Sequence, residues 1–150
     1  MKTNIYAALA VLALAAPALA DDHGDAAKGE KDFKKCKACH SIIADDGTEI
    51  QKGGKTGPNL YGVIGRPVAS YPDFKYSESI LAAGATGAVW DEESLAKYVT
   101  NPKDWLVEVT GDSGAKTAMA FKLPKGGDNM AAYLASVAPE VEVEAEPAAN

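Results

Sequence analysis

Apolar residues recur at helical spacing in a few separated stretches of the 150-residue chain, with polar, glycine- and proline-rich segments between them. Asp25 is placed to N-cap a helix running to about Cys36, with Gly29, Phe33 and Cys36 along one side. A short helix is expected from Ser77 to Ala83, stopping at Gly84. Asp91 caps another, with Glu92 and Glu93 favourable at its positive end; it turns Leu95, Tyr98 and Val99 inward and ends at Asn101-Pro102. Pro102 then starts a short helix bearing Trp105 and Leu106. Asp128 is expected to cap the last helix, where Met130, Tyr133, Leu134 and Val137 fall at i, i+3, i+4 and i+7. No strand pattern is strong and no internal repeat is evident. The pattern is all-α, four to five helices. Residues 41–76, rich in Gly, Pro, Asp and Asn, form an irregular stretch too long for a compact domain unless something besides side chains fills the core.

The N-terminus reads as a secretory signal, residues 1–20. Lys2 gives a positive start, Ile5 to Ala16 an apolar core, and Ala18-Leu19-Ala20 a small-x-small cleavage site. That run is short and alanine-rich for a transmembrane helix, an uncleaved anchor being the alternative, and no other segment could span a bilayer. The expected mature chain begins at Asp21 and makes one small exported domain, residues 21–138. Without Lys2, 14 basic residues face 21 acidic ones, a net charge of −7. Glu140, Glu142, Glu144 and Glu146 belong to a tail, residues 139–150, that reads as disordered; without them the balance is 14 against 17, or −3. Such acidity argues against nucleic acid as a partner, although a local basic patch remains compatible with it.

Chemistry enters at Cys36-Lys37-Ala38-Cys39-His40. Two cysteines two residues apart, followed at once by histidine, form the attachment signature of c-type haem. Each thiol adds to one vinyl group of the porphyrin, the vinyls lying about one helical turn apart, and the adjacent His40 can bind iron through Nε2. A thioredoxin-like dithiol would sit within a βαβ pattern, and none is visible. A closed zinc site needs four ligands, whereas the chain offers two cysteines plus His23 and His40. Export fits as well, because bacterial haem attachment takes place outside the inner membrane. One covalently attached haem would supply the core that residues 41–76 cannot, with helices and long loops wrapped around it.

The sixth iron position has three candidates: Met119, Met130 and His23. Met130 lies on the apolar face of the last helix and reads better as core. His23 is close to the start of the mature chain, where fraying makes a poor ligand. Met119 sits in Lys116-Thr117-Ala118-Met119-Ala120-Phe121, a non-helical stretch that can deliver a thioether, and is preferred. His/Met ligation raises the potential, and a filled position keeps oxygen and peroxide from the metal.

Taken together, these residues resemble class I cytochrome c in its longer bacterial form, the cytochrome c2 or c550 type. The likeness covers about Gly24 to Val137. It rests on Gly24-Asp25, Gly29 and Phe33 before the Cys-x-x-Cys-His, on Lys55-Thr56-Gly57-Pro58-Asn59-Leu60-Tyr61-Gly62, and on Gly65-Arg66. Phe74-Lys75-Tyr76, Trp90, Tyr98-x-x-Asn101-Pro102-Lys103, the Lys-x-x-Met-x-Phe run ending at Phe121, and Ala132-Tyr133-Leu134 complete it. The resemblance implies that Pro58 presents its carbonyl to the other ring nitrogen of His40. It implies that Tyr76, Trp90 and Arg66 surround a buried haem propionate, and that Tyr98 reaches the Met119 side. Gly29 would let the first helix cross closely against Tyr133. One departure is the stretch from Trp105 to Gly114-Ala115, longer than in the short mitochondrial pattern but similar to an insertion in the longer bacterial members.

The expected function is that of a soluble, monomeric, periplasmic one-electron carrier rather than an enzyme. Lys35, Lys37, Lys55, Lys103, Lys116 and Lys122 are candidates for docking an acidic partner face near the exposed haem edge. The resemblance implies a bc1-type donor and a terminal oxidase, reductase or photosynthetic reaction centre as acceptor. A peroxidase would need an open sixth site and a distal acid–base group, and no spare histidine is placed for one. A gas sensor would also need an open site, and often a signalling domain that so short a chain lacks.

Overall fold

The computed structural model of the chain describes residues 24–137 and 139. The proposed signal, His23 and the tail beyond Pro139 lie outside the described residues.

Five α-helices carry the fold: α1 (Ala26–Asp32), α2 (Glu78–Ala85), α3 (Glu92–Thr100), α4 (Pro102–Thr110) and α5 (Gly127–Ser136). Asp25 caps α1 as expected, accepting the Lys28 amide at 3.0 Å. The α-helix is shorter than its apolar spacing predicts, because from Phe33 to Lys35 the backbone tightens into a 3-10 turn. Phe33 is fully buried there, with its ring edge against Tyr133 at 5.8 Å. Helix α2 runs through Gly84 instead of stopping at it. The glycine serves packing, since a Cβ would come within 2.5 Å of the Val68 carbonyl oxygen.

Helices α3 and α4 match their expected starts, with Asp91 accepting the Ser94 amide at 2.7 Å and Pro102 opening α4. Helix α5 begins two residues earlier than its sequence suggests. Its cap is Gly126, whose φ of +85° favours glycine, and Asp128 lies in the first turn, where its charge suits the helix dipole. The early start seats Gly127 against α3, where a Cβ would lie 2.7 Å from the Ala96 carbonyl oxygen.

Helices α1, α3 and α5 form the frame. Gly29 is its tightest point: a Cβ would stand 2.0 Å from the Asn129 carbonyl oxygen and 2.6 Å from the Tyr133 Cβ. The expected close crossing of α1 against Tyr133 is therefore present. One element was not expected, an antiparallel pair of β1 (Ile42–Ile43) and β2 (Glu49–Gln51). Strands of two and three residues carry no legible alternation, but Asp46-Gly47, with Gly47 at φ +87°, is the turn signal that could have found them. Gln51 ties this pair to the frame, its side-chain amide donating to the Tyr133 hydroxyl at 2.9 Å.

Candidate functional site

Beyond α1 the chain continues in tight turns, with Cys36 N donating to Phe33 O (2.8 Å) and His40 N to Cys36 O (2.9 Å). The turns bring Cys36, Cys39 and His40 to one wall of a cavity of about 570 Å³. That volume lies within the roughly 300–1,000 Å³ common for ligand pockets. Cys36 is half-buried and burial pushes its thiol up to about 11, so its sulfur keeps its proton at neutral pH. Cys39 is exposed.

The imidazole of His40 is held by one bond, Nδ1–H to the Pro58 carbonyl oxygen at 2.8 Å. Burial pushes its pKa down, while the Pro58 carbonyl works the other way. The ring is thus neutral at pH 7, and with the proton on Nδ1 the lone pair is on Nε2, the atom a metal would take. Gly57 makes room for this ring, because a Cβ there would stand 2.2 Å from His40 Cε1. Asn59 fixes the next residues: its side chain accepts the Ile43 and Tyr61 amides and donates to the Ile43 carbonyl at 2.7 Å. In the sequence Gly57 and Asn59 belong to the Lys55–Gly62 motif with no role of their own. Their adjacency to Pro58 was the available signal.

Residues of α2, α3, α4 and α5, of the segment after α4 and of the loops around Arg66, Tyr76 and Trp90 contribute the remaining surface. All nine residues predicted for cofactor binding line the one cavity: Cys36, Cys39, His40, Pro58, Arg66, Tyr76, Trp90, Tyr98 and Met119. Arg66 donates to the Asn59 and Tyr61 carbonyls and lies 4.9 Å from the centre of the Tyr71 ring. Burial lowers its pKa, the hydroxyls of Tyr76 and Tyr71 oppose that, and the guanidinium stays charged. The Tyr76 hydroxyl accepts the Tyr71 amide at 3.2 Å, and burial raises its pKa. Trp90 is buried, stacked on Trp105 at 4.7 Å, with Tyr98 at 5.0 Å. Burial likewise raises the Tyr98 pKa, the nearby Thr117 side chain opposing it. The Thr117 hydroxyl in turn accepts the Met119 amide at 3.0 Å and donates to the Met119 carbonyl at 3.1 Å.

Both described methionines face the cavity, but differently. Met130 is 1% exposed within α5. Met119 is partly exposed in a non-helical segment whose backbone is held through Thr117. Of the six docking candidates, all are exposed. Lys35 pairs with Asp32 at 2.6 Å, while Lys37, Lys55, Lys103, Lys116 and Lys122 form no ion pair among the described residues.

The residues fit a haem. A wall of two thiols and a neutral imidazole faces apolar side chains and a thioether, and the glycine beside the imidazole leaves no room for a side chain. A helical frame and long loops around such a cavity define a class I cytochrome c fold. No family model matches the sequence. Curated relatives do. The chain is 63% identical over 138 residues to cytochrome c2 of Rhodobacter capsulatus, covering 91% of this chain and 98% of that protein. It is 58% identical over 150 residues to cytochrome c-550 of Paracoccus versutus, covering 99% and 97%. Among solved structures, R. capsulatus cytochrome c2 superposes with a TM-score of 0.75 at 66% identity, over 76% of this chain and 98% of that one. The chain belongs to the cytochrome c2/c-550 family of class I cytochromes c. It is an electron-carrier cytochrome, and membership implies a haem cofactor. No described helix is long and apolar enough to cross a membrane.

Proposed function

We propose that the chain is a soluble, monomeric, periplasmic one-electron carrier holding a single haem c, with no enzymatic activity of its own. Residues 1–20 act as a cleaved export signal, residues 21–138 form the cytochrome domain, and residues 139–150 are an acidic tail. Cys36 and Cys39 would hold the group covalently, through two thioethers. His40 and Met119 would hold its iron. When bound, the haem supplies one-electron chemistry at an iron that alternates between Fe(II) and Fe(III).

The chain's own residues do the rest. Pro58 keeps the proton of His40 on Nδ1, which fixes the tautomer and strengthens Nε2 as a donor. Arg66, Tyr76 and Trp90 compensate a propionate that would be costly to bury alone. Tyr98 and Thr117 hold the Met119 segment, so both ligands stay in place and little rearrangement accompanies a transfer. Lys35, Lys37, Lys55, Lys103, Lys116 and Lys122 give an otherwise acidic protein a positive face. That face would steer it to a bc1-type donor and to an oxidase, reductase or photosynthetic reaction centre as acceptor.

The observation that carries this reading is the convergence of nine sequence-predicted residues, from Cys36 to Met119, on one cavity. The test is an optical spectrum of the purified protein, oxidised and reduced, extended into the far red. A sharp low-spin reduced spectrum with the weak far-red methionine–iron(III) band is the expected result. High-spin features, or ready carbon monoxide binding by the reduced protein at neutral pH, would overturn it in favour of an enzyme or sensor with an open site.

A further inference from the structure

The segment that carries Met119 leaves α4 at Gly111 and rejoins the frame at Leu123, whose amide donates to the Val99 carbonyl at 2.8 Å. Two side chains anchor it by burial, Ala115 at 1% exposed and Leu123 at 3%. Between them the backbone is poorly tied. Gly114 N and Ala115 N bond back to Asp112, and Met119 N to Thr117, all within the segment. Among the described residues, one amide from Ser113 to Lys122 reaches another element: Lys116 N donates to the Ser79 hydroxyl at 2.9 Å, across 37 positions.

Ser79 lies in the first turn of α2, outside the residues predicted to contact the cofactor, and it does not line the cavity. We propose that Ser79 is a positioning residue for Met119, its hydroxyl acting as a latch that sets how readily the 116–122 segment lifts from the cavity. The proposal rests on the assignment of Met119 as metal ligand. Physically, the latch sits one residue before Thr117, which holds the Met119 backbone on both sides. When the Lys116 amide is released, the segment is held to the frame by its two buried ends, Ala115 and Leu123. The bond is neutral and near the surface, so it shifts an opening equilibrium by a modest factor instead of deciding the fold.

Ser79→Ala separates this role from general stability. Alanine is a better helix former than serine, so α2 itself is not weakened. In the haem-loaded protein, amide hydrogen exchange at Lys116 should speed up by roughly threefold to tenfold, the effect of one neutral hydrogen bond. Exchange at core amides such as Leu134 should be unchanged. Added imidazole, used as a probe for the displaced ligand, should quench the far-red methionine band at a lower concentration by a similar factor. Ser79→Thr, which keeps the hydroxyl, should restore both values, and Ser113→Ala, on an exposed serine of the same segment, should alter neither. Unchanged Lys116 exchange in Ser79→Ala would overturn the latch. Faster exchange with unaltered imidazole competition would overturn its link to Met119. Absence of the far-red band in the parent protein would instead remove the Met119 assignment, and the proposal with it.

Discussion

Where α1 meets α5, glycine lets backbone touch backbone: Gly24 and Gly29 both stand so near α5 that any Cβ would overlap its main chain. Around the cavity, order comes from single polar side chains instead. Asn59 organises the turn after Pro58, Thr117 brackets Met119, and Ser79 reaches Lys116. The frame gains its rigidity from shape, and a misfit there is felt along two helices. The cavity loops gain theirs from isolated bonds, so each can be loosened without unfolding the rest. Loops that line a binding site come from the less stable end of a structure; Met119, the proposed ligand, lies in such a loop and Met130 in the frame.

That contrast can be broken in several ways. The largest test pairs the two methionines. Met119→Ala should abolish the far-red band and strongly lower the potential, with little loss of stability. Met130→Ala should keep the band and cost about 2–5 kcal/mol by chemical denaturation, as a buried methionine does. An exchange of those outcomes would reverse the ligand assignment. Next, Gly29→Ala sets a helix-propensity gain of about 1 kcal/mol against a methyl group 2.0 Å from a backbone oxygen. Backbone cannot step aside as a side chain can, so a net loss of about 2 kcal/mol is expected in thermal or denaturant unfolding.

A smaller global effect is expected from Gly57→Ala, which presses on the His40 ring. Visible-region absorbance should shift while the denaturation midpoint moves less than for Gly29→Ala. The smallest concerns Asp25, whose carboxyl is held below its ordinary 3.8 first by the Lys28 amide and then by its ammonium. A lowered folded pKa gives stability that is present above 3.8 and lost as pH falls through the folded value. Unfolding curves of the parent and Asp25→Asn should therefore differ at neutral pH and converge in acid.

Much of the cavity was legible from the sequence because its chemistry is local. Cys36, Cys39 and His40 are contiguous, and Asp25, Asp91 and Pro102 announce their helices by capping and φ preference alone. The errors fall where a residue answers to a distant neighbour. Gly84 reads as a stop, yet it exists so that α2 can approach Val68. Asp128 reads as a cap, yet α5 starts earlier because Gly127 must sit against Ala96. Trp105 reads as the apolar face of a short helix, and its partner Trp90 could not be inferred from spacing. Thr117 and Ser79 carry no pattern at all, since a single hydroxyl gains its meaning only from the amide it meets.

One contact in the frame also has a kinetic meaning. The Asp25 amide donates to the Asn129 side chain at 2.7 Å, joining positions 104 apart in the chain. Closing a loop of that length costs about 2 kcal/mol more entropy than closing one of ten residues. The first and last helices are thus fastened at one seam that the folding chain can reach only by a long search. Fraying of α1 must break that contact, while Gly127 against Ala96 still holds α5 to α3.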